Sequence, residues 1–306
     1  MPANIWLNDF SFEGLNVRVR KTGALVPVEP GTISETLAWM RFYLAVEAQT
    51  AFQTPTGPRI WFGPDQPRPW YLIWAATRLA GLPIVRDPKD ADLGVFFEDV
   101  TTSAAPSVPG LRVLNQDCGD VSKSRVSDVF EQVTGRALNL DPSTASGPIV
   151  AKSEKNGAHD GQIVQAPCPA NSGVVYQHLI DNIAPDGQVE DLRCPTVGGE
   201  VPVVFLKRRS HERRFENANA QVRMLDPMQV FSATERAMIS DFCQAMGLDW
   251  GGLDILRDRR TRQLWIVDVN KTDMGPPTAL ALDDKKKAVG QIAKALRQYV
   301  ERLTGA

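Results

Sequence analysis

Cysteine and histidine are scarce in this 306-residue chain, which has four cysteines and three histidines. The cysteines form no C-x-x-C pair and lie far apart, at Cys118, Cys168, Cys194 and Cys243. A zinc site needs closely spaced sulfur and nitrogen ligands, and a disulfide framework is typical of short secreted chains. The sequence therefore argues against both, and we expect reduced thiols in a cytoplasmic protein.

Long apolar runs and an excess of one charge are also missing. No run approaches the roughly 20 residues that span a bilayer, and the first residues lack the basic-then-apolar pattern of a secretion signal. The net charge is −2, which argues against binding nucleic acid by bulk electrostatics. We expect a protein that binds neither membrane nor nucleic acid.

Two glycine signatures of nucleotide binding are absent as well, the G-x-x-x-x-G-K-[ST] and G-x-G-x-x-G motifs. The chain instead has two apolar segments near its C-terminus, 251–256 and 264–270, joined by a polar turn. They read as an antiparallel hairpin. Alternation along a strand predicts that Val267 and Val269 face a core.

The opposite face of this predicted hairpin has oxygen-bearing side chains. Asp268 and Asn270 share that face, and Asp254 on the first strand can lie beside them. Mg²⁺ prefers oxygen ligands and takes its remaining ligands from water and phosphate, so two carboxylates and one amide suffice. The alternative is that these residues are ordinary turn residues at strand ends.

The pattern of elements divides the chain into lobes. Residues 1–118 alternate strands and helices, which predicts an N-terminal α/β lobe with a largely parallel sheet. Residues 119–306 have runs of strands followed by helices, which predicts α+β lobes, a central one over about 119–184 and a C-terminal one over about 185–306. Helices are predicted over 32–53, 70–80, 121–134, 233–246 and 283–303, the first with a capping box at Thr32 to Glu35.

Lys152 ends a predicted strand at 149–152 and precedes a polar loop, 153–161, that contains Gly157 and Gly161. A lysine beside such a loop can bind phosphate, because the ammonium supplies charge and the loop amides supply dipoles. The alternative is a solvated hairpin loop.

Three further charged side chains are candidates for the site. Lys123 lies at a helix start, where a cation opposes the helix dipole, so we expect a partner anion. Asp191 and Arg193 share one face of a strand, and Arg193 could clamp a phosphate or carboxylate with two bonds. The alternatives are a solvated lysine and a surface ion pair.

In their order these elements resemble the ATP-grasp superfamily over residues 120–280. The likeness is to the group of ribosomal-protein glutamate ligase, glutathione synthetase and D-alanine–D-alanine ligase. The matching motifs are Ser122-Lys123-Ser124, Val150-Ala151-Lys152 with the loop to Gly161, the strand at 175–180, the strand pair at 190–201, the loop at 214–217, and Asp254, Asp268 and Asn270. Two positions depart from the family: Asp268 stands where Glu is usual, and Asn270 is followed by Lys271-Thr272-Asp273 rather than by the N-x-x-P-G continuation.

The resemblance implies an ATP-grasp fold, with an N-terminal α/β lobe like the pre-ATP-grasp domain and two α+β lobes that clasp the nucleotide. It also implies roles for single residues. Catalysis would involve Arg193 and Lys152; the nucleotide would be bound by Lys123, Lys152, Gly157, Gly161, Gln177, His178, Leu179, Ile180 and Asp191; and the metal would be bound by Asp254, Asp268 and Asn270.

The activity that the resemblance implies is ATP-dependent ligation of a carboxylate to an amine through an acylphosphate. The expected partners are ATP with Mg²⁺, or Mn²⁺ in its place, a small carboxylate and a small amine such as an amino acid or peptide, and a second copy in a homodimer. Two alternatives stay open. One is a phosphotransferase on the same scaffold, and the other is a nucleotide-binding module without turnover.

Overall fold

Four sheets and six α-helices form the part of the chain that the computed structural model describes, residues 8–20, 25–158, 160–215 and 221–306. The strands are β1 (Phe10–Glu13), β2 (Asn16–Val19), β3 (Leu25–Pro27), β4 (Ile60–Pro64), β5 (Ile84–Val85), β6 (Leu93–Phe97), β7 (Val113–Leu114), β8 (Gly147–Ser153), β9 (Gln162–Ala166), β10 (Val174–His178), β11 (Gln188–Val197), β12 (Val204–Ser210), β13 (Gln221–Leu225), β14 (Trp250–Arg257) and β15 (Leu264–Asn270). The helices are α1 (Pro30–Thr50), α2 (Leu72–Leu79), α3 (Lys123–Thr134), α4 (Pro227–Val230), α5 (Ala233–Met246) and α6 (Leu282–Thr304). None of these helices combines the length and apolarity that crossing a membrane requires.

The N-terminal half contains a parallel sheet, as the alternation of strands and helices predicted. Its strand order is β5-β4-β6-β7, and every neighbouring pair is parallel. A separate antiparallel sheet, β1-β2-β3, precedes it. The hydrophobic core beside the parallel sheet also takes side chains from the C-terminal helix α6, including Val289 and Ile292, which are fully buried. The C-terminal helix α6 therefore packs against the N-terminal half of the chain.

The larger of the two antiparallel sheets that follow has the order β13-β12-β11-β14-β15. Its fully buried residues Leu253 and Val269 pack with Phe130 of α3 and Phe242 of α5 in one core. The smaller sheet has the order β10-β8-β9 and a small core of its own around Ile149 and Tyr176. These two sheets carry the site.

The predicted helices are present, with ends that differ by a few residues. The predicted capping box in α1 is wrong. This helix begins at Pro30, and Glu29 before it makes no side-chain capping bond. Proline suits the first turn because its missing N–H has no helical partner there. A capping box does occur in α5, where Ser232 and Glu235 bond reciprocally.

Candidate functional site

A cavity lies between the β10-β8-β9 sheet and the β13-β12-β11-β14-β15 sheet, beside the start of α3. Its lining, in the described part of the chain, has six basic and four acidic side chains, so it favours an anionic ligand. It is lined by Lys123, Val150, Lys152, Lys155, Gly157, Ala158, Asp160, Gly161, Gln177, His178, Ile180, Asn182, Asp191, Lys207, Arg209, Arg214, Phe215, Asp254, Leu256, Val267 and Asp268.

Two carboxylates lie next to each other at one wall of this cavity. In the antiparallel pair of β14 and β15, Asp254 is the direct partner of Asp268. The register shifts just after this pair, since Ile255 opposes Ile266 and leaves Val267 without a partner. Such a bulge re-aims side chains. Val269 is buried in the core, as predicted, and Val267 packs half-buried against the same core while also lining the cavity.

Two lysines approach these carboxylates from other elements. Lys123, the first residue of α3, forms an ion pair with Asp268 and is 5% exposed. The sequence predicted a partner anion for this lysine, and the protein itself supplies one. Lys152 on β8 donates a 3.2 Å hydrogen bond to the carbonyl of Val267. Burial lowers the pKa of Lys152 to about 8, although the nearby charge of Asp268 opposes this shift.

The glycine loop between β8 and β9 covers one side of the cavity. Gly157 has a φ of +69°, a conformation that favours glycine. A Cβ at Gly161 would lie 2.6 Å from the ring of Phe215, so the close approach of loop and ring requires glycine. Glu154 fastens the loop to α3 by accepting hydrogen bonds from the amide of Ser124, at 3.0 Å, and from its hydroxyl.

Of the residues from 177 to 180 that were expected to bind the nucleotide, three line the cavity and one does not. Gln177, His178 and Ile180 line the cavity, whereas Leu179 is not among its lining residues. The side chain of Gln177 is already occupied, because its amide nitrogen donates to Ser127 at 2.7 Å and to Asn139 at 3.1 Å.

Arg193 is not among the lining residues of the cavity. It is held behind the wall by two carboxylates, since it hydrogen-bonds to Asp273 and lies 3.2 Å from Asp254. Burial disfavours the charge of Asp254, but Arg193 and then Lys207 more than offset this and lower its pKa. Burial raises the pKa of Asp273, although Arg193 opposes the shift.

Asn270 is also not among the lining residues, although it is two residues from Asp268. Its side-chain oxygen accepts a hydrogen bond from the amide of Thr272, at 2.9 Å, and lies 3.1 Å from the hydroxyl of the same residue. This amide oxygen therefore faces the following turn. Its role as a metal ligand stays a prediction, one that requires the Asn270 side chain to release Thr272.

Several cavity residues were not predicted as site residues. Lys207 and Arg209 alternate on β12, and the Lys207 ammonium lies 3.7 Å from Asp254. Arg214 donates to the carbonyl of Ile180 at 3.2 Å and to the side chain of Asn182 at 2.8 Å. Only the strand register shows that Lys207 and Arg209 face the cavity, two positions apart on β12. The predicted motif at 214–217 lies partly outside the described residues, which end at Phe215 before the gap.

The carboxylates present fit a hard divalent cation whose other ligands come from a bound phosphate. The Oδ1 atom of Asp254 is buried and accepts no hydrogen bond from any described group. No cluster of three or more His, Cys, Asp or Glu side chains suited to a metal occurs within the described ranges. Asp254 and Asp268 alone would be an incomplete set of protein ligands, so a cation here would need further ligands from phosphate or water.

Comparisons with known proteins complement this geometry. No protein-family model matches the chain, and no curated protein matches its sequence. Among solved structures, the chain is similar to the ATP-grasp ligase PsnB in complex with the precursor peptide PsnA2 and AMPPNP, with 11% identity, coverage of 78% of this chain and 98% of that one, and a TM-score of 0.49. It is also similar to an ATP-grasp RimK domain protein from Sphaerobacter thermophilus, with 14% identity, coverage of 79% and 99%, and a TM-score of 0.46.

A third similar structure is D-alanine–D-alanine ligase from Bacillus anthracis in complex with ATP. The identity is 13%, the match covers 81% of this chain and 99% of that one, and the TM-score is 0.45. At these identities and TM-scores, the function of this chain has to be inferred from its own side chains.

Proposed function

We propose that the protein is an ATP-dependent carboxylate–amine ligase that works through an acylphosphate intermediate. One observation supports this most strongly: Asp254 and Asp268 on adjacent strands share a single cavity with Lys123 and Lys152, which come from two other elements. A pair of carboxylates suits a magnesium ion, and a pair of lysines suits phosphates, so the four groups together suit a magnesium–nucleotide.

The nucleotide would bind with its phosphates between the two lysines and the glycine loop. Among the described residues, the Lys152 ammonium has one hydrogen bond to protein, to the carbonyl of Val267, and it can exchange that bond for one to a phosphate oxygen. The base would lie toward His178 and Ile180, at the opposite end of β10 from the glycine loop. We propose this orientation because phosphate needs the cations and the loop amides.

Lys123 would also influence metal binding, because it pairs with Asp268. It now pairs with Oδ1 of Asp268, so a metal at this carboxylate would compete with the Lys123 ammonium. A nucleotide phosphate that takes the Lys123 ammonium would free Asp268 in the same event. Bound Mg²⁺ would supply the positive charge that phosphoryl transfer needs, and Asp254 and Asp268 would hold it. Nucleotide and metal binding are therefore expected to be coupled.

The proposed reaction has two steps. First, an oxygen of the substrate carboxylate attacks the γ-phosphorus of ATP, the bond from this phosphorus to the bridging oxygen breaks, and ADP leaves. Second, an amine nitrogen attacks the activated carbonyl, inorganic phosphate leaves, and the nitrogen loses a proton. The protein contributes alignment and charge neutralisation more than covalent chemistry.

The glycine loop would protect the intermediate from water. An acylphosphate hydrolyses when water reaches it, so a loop closed over the site would preserve the intermediate. The contact of Glu154 with Ser124 ties this loop to the same helix that carries Lys123. In addition, the amide of Asn156 donates a 3.0 Å hydrogen bond to the hydroxyl of Thr101, which joins the loop to the N-terminal half.

The test is ADP formation with Mg²⁺, ATP and a panel of amino acids and short peptides, with product analysis by mass spectrometry. A ligase forms ADP, phosphate and a new amide, and net product requires the amine. A phosphorylated product without amine would indicate the phosphotransferase instead, and no ADP with any substrate would indicate the binding module.

The variant Asp268→Asn should abolish ADP formation. The matched control is Glu235→Gln, which also removes the carboxylate from an ion pair of the large sheet, because Glu235 pairs with Arg257 of β14. Glu235 is not among the cavity lining residues, so this variant should keep its activity. Turnover by Asp268→Asn at the wild-type rate would contradict the proposal.

A further inference from the structure

Arg193 is shared unequally between two carboxylates. Its Nε donates to Asp273 Oδ1 at 3.2 Å, and its Nη2 donates to the same oxygen at a shorter distance. Toward Asp254, its ion-pair contact is from Nη1 to Oδ1 at 3.2 Å, and this buried oxygen has no well-formed hydrogen bond from any described group. Asp273 therefore holds the guanidinium, and Asp254 feels mainly its charge.

A glycine creates the room for this arrangement. Gly252 lies two residues before Asp254, on the same face of β14. A Cβ at Gly252 would lie 2.3 Å from Asp273 Oδ2 and 3.0 Å from Arg193 Cζ. Any side chain at this position would displace one member of the pair or the other, so the close contact of Arg193 with Asp273 requires glycine.

Asp273 is itself fixed from the N-terminal half of the chain. Its carbonyl accepts a 2.9 Å hydrogen bond from the amide of Leu72, and the amide of Gly275 donates to the carbonyl of Trp70 at 2.7 Å. The hydroxyl of Thr272 donates to Asp99 at 2.8 Å. The loop after β15 is thus anchored on both sides of Asp273, so its carboxylate cannot follow Arg193 freely toward β14.

The anchoring of Asp273 matters because Arg193 carries a positive charge that can pair with more than one carboxylate. Arg193 is buried, and an arginine side chain stays protonated in proteins. Its positive charge is therefore stabilised by a neighbouring carboxylate. Without Asp273, the nearest acceptor is Asp254, the residue that would bind the metal. A guanidinium bonded to Asp254 would compete with a divalent cation for the same oxygens.

We propose that Asp273 is a positioning residue that engages Arg193 and thereby leaves Asp254 available to the divalent cation that accompanies the nucleotide. The inference rests on the proposed function in one respect, that a cation–nucleotide binds between Asp254 and Asp268. It assigns to the loop after β15, where the sequence departs from N-x-x-P-G, a part in metal binding.

The experiment measures ADP binding by calorimetry, once with EDTA and once with excess Mg²⁺, and the ratio of the two affinities is the magnesium gain. Asp273→Asn should reduce this gain by about tenfold, the scale found for groups that orient metal ligands. The affinity with EDTA should not change. Arg193→Met added to Asp273→Asn should restore the gain, because the competitor is then gone.

Two controls separate positioning from simple charge. Asp273→Asn removes a negative charge near Asp254. If this loss of charge alone reduced the magnesium gain, removal of any nearby cation would restore the gain. Lys207→Met combined with Asp273→Asn removes such a cation, 3.7 Å from Asp254, without touching Arg193. Positioning predicts that this double variant keeps the reduced gain. Gly252→Ala, which disturbs the pair without altering charge, should reduce the gain as well, and it decides the matter if Asp273→Asn does not fold.

The results that would overturn the positioning role differ from those that would overturn the proposed function. An unchanged gain in both Asp273→Asn and Gly252→Ala, or restoration by Lys207→Met as complete as by Arg193→Met, would overturn the positioning role. A wild-type protein that binds ADP with no magnesium gain would instead overturn the proposed function, and the inference would fall with it.

Discussion

Lys123 and Asp268 form an ion pair across the cavity, between the first residue of α3 and the end of β15. The lysine is 5% exposed, and its partner carboxylate is the expected metal ligand. Within the cavity, these two opposite charges therefore neutralise each other. If a nucleotide binds here with its cation, as proposed, we expect it to exchange this internal pair for two new ones, and the exchange can be tested from each side.

Lys123→Met should destabilise the ligand-free protein. The variant leaves Asp268 without its ammonium, and loss of one partner of a largely buried pair costs about 1–3 kcal/mol. Urea unfolding followed by circular dichroism measures the change. The matched control is Lys286→Met on α6, whose contact with Asp283 is 3.9 Å long and exposed, so its free energy of unfolding should change by less than about 0.5 kcal/mol. Equal effects of the two variants would contradict a structural role for the Lys123 pair.

Nucleotide binding should take up protons near pH 8. Burial lowers the pKa of Lys152 to about 8, so part of the population is neutral at that pH. Bound phosphates favour the ammonium and raise this pKa, so protons enter from solution as ADP binds. Calorimetry in two buffers of different ionisation enthalpy detects this uptake as a buffer-dependent binding heat. At pH 6 the lysine is already protonated, and its contribution should vanish.

The same pKa has a consequence for stability. Because the pKa of Lys152 is lower in the folded protein than its ordinary value of 10.5, the unfolded chain binds more protons between about pH 8 and 10.5. The contribution of Lys152 to the free energy of unfolding therefore rises with pH across that window. Lys152→Met should remove both this contribution and the proton uptake. A buffer-dependent heat that survives Lys152→Met would assign the uptake to another group.

Gly161→Ala should weaken nucleotide binding. The new Cβ would lie 2.6 Å from the Phe215 ring, so the glycine loop or the ring must move away from the cavity. The expected result is a lower affinity for ADP in a protein of nearly wild-type stability. Gly290→Ala is the control, since it lies in α6 with open space around it and alanine favours helix by about 1 kcal/mol. This control should bind ADP normally, and a normal affinity in Gly161→Ala would show that the loop does not contribute to the site.

The sequence carried enough information to predict which strands hold the carboxylates. Alternation within β14 and β15 predicted that Asp254 and Asp268 lie side by side, and they are register partners. It did not predict the bulge that leaves Val267 without a partner, because a bulge depends on the pairing of two strands rather than on the pattern of either.

The contact of Arg193 with Asp273 could not be predicted from the sequence. These residues are 80 positions apart, and Asp273 lies in a segment that reads as an ordinary polar turn. Whether such a turn carries a partner for a buried guanidinium depends on how the N-terminal half anchors it. Similarly, the pattern placed Asn270 on the face of Asp268, and only the structure shows that its oxygen accepts from Thr272.

The most direct test of the account is the magnesium dependence of ADP binding in wild type and in Asp268→Asn. If Asp254 and Asp268 hold a cation that bridges to the nucleotide, wild type binds ADP more tightly with Mg²⁺ than with EDTA. Asp268→Asn should lose this gain and still bind ADP in EDTA, because the lysines remain. Absence of ADP binding in wild type, or a full magnesium gain in Asp268→Asn, would contradict the account.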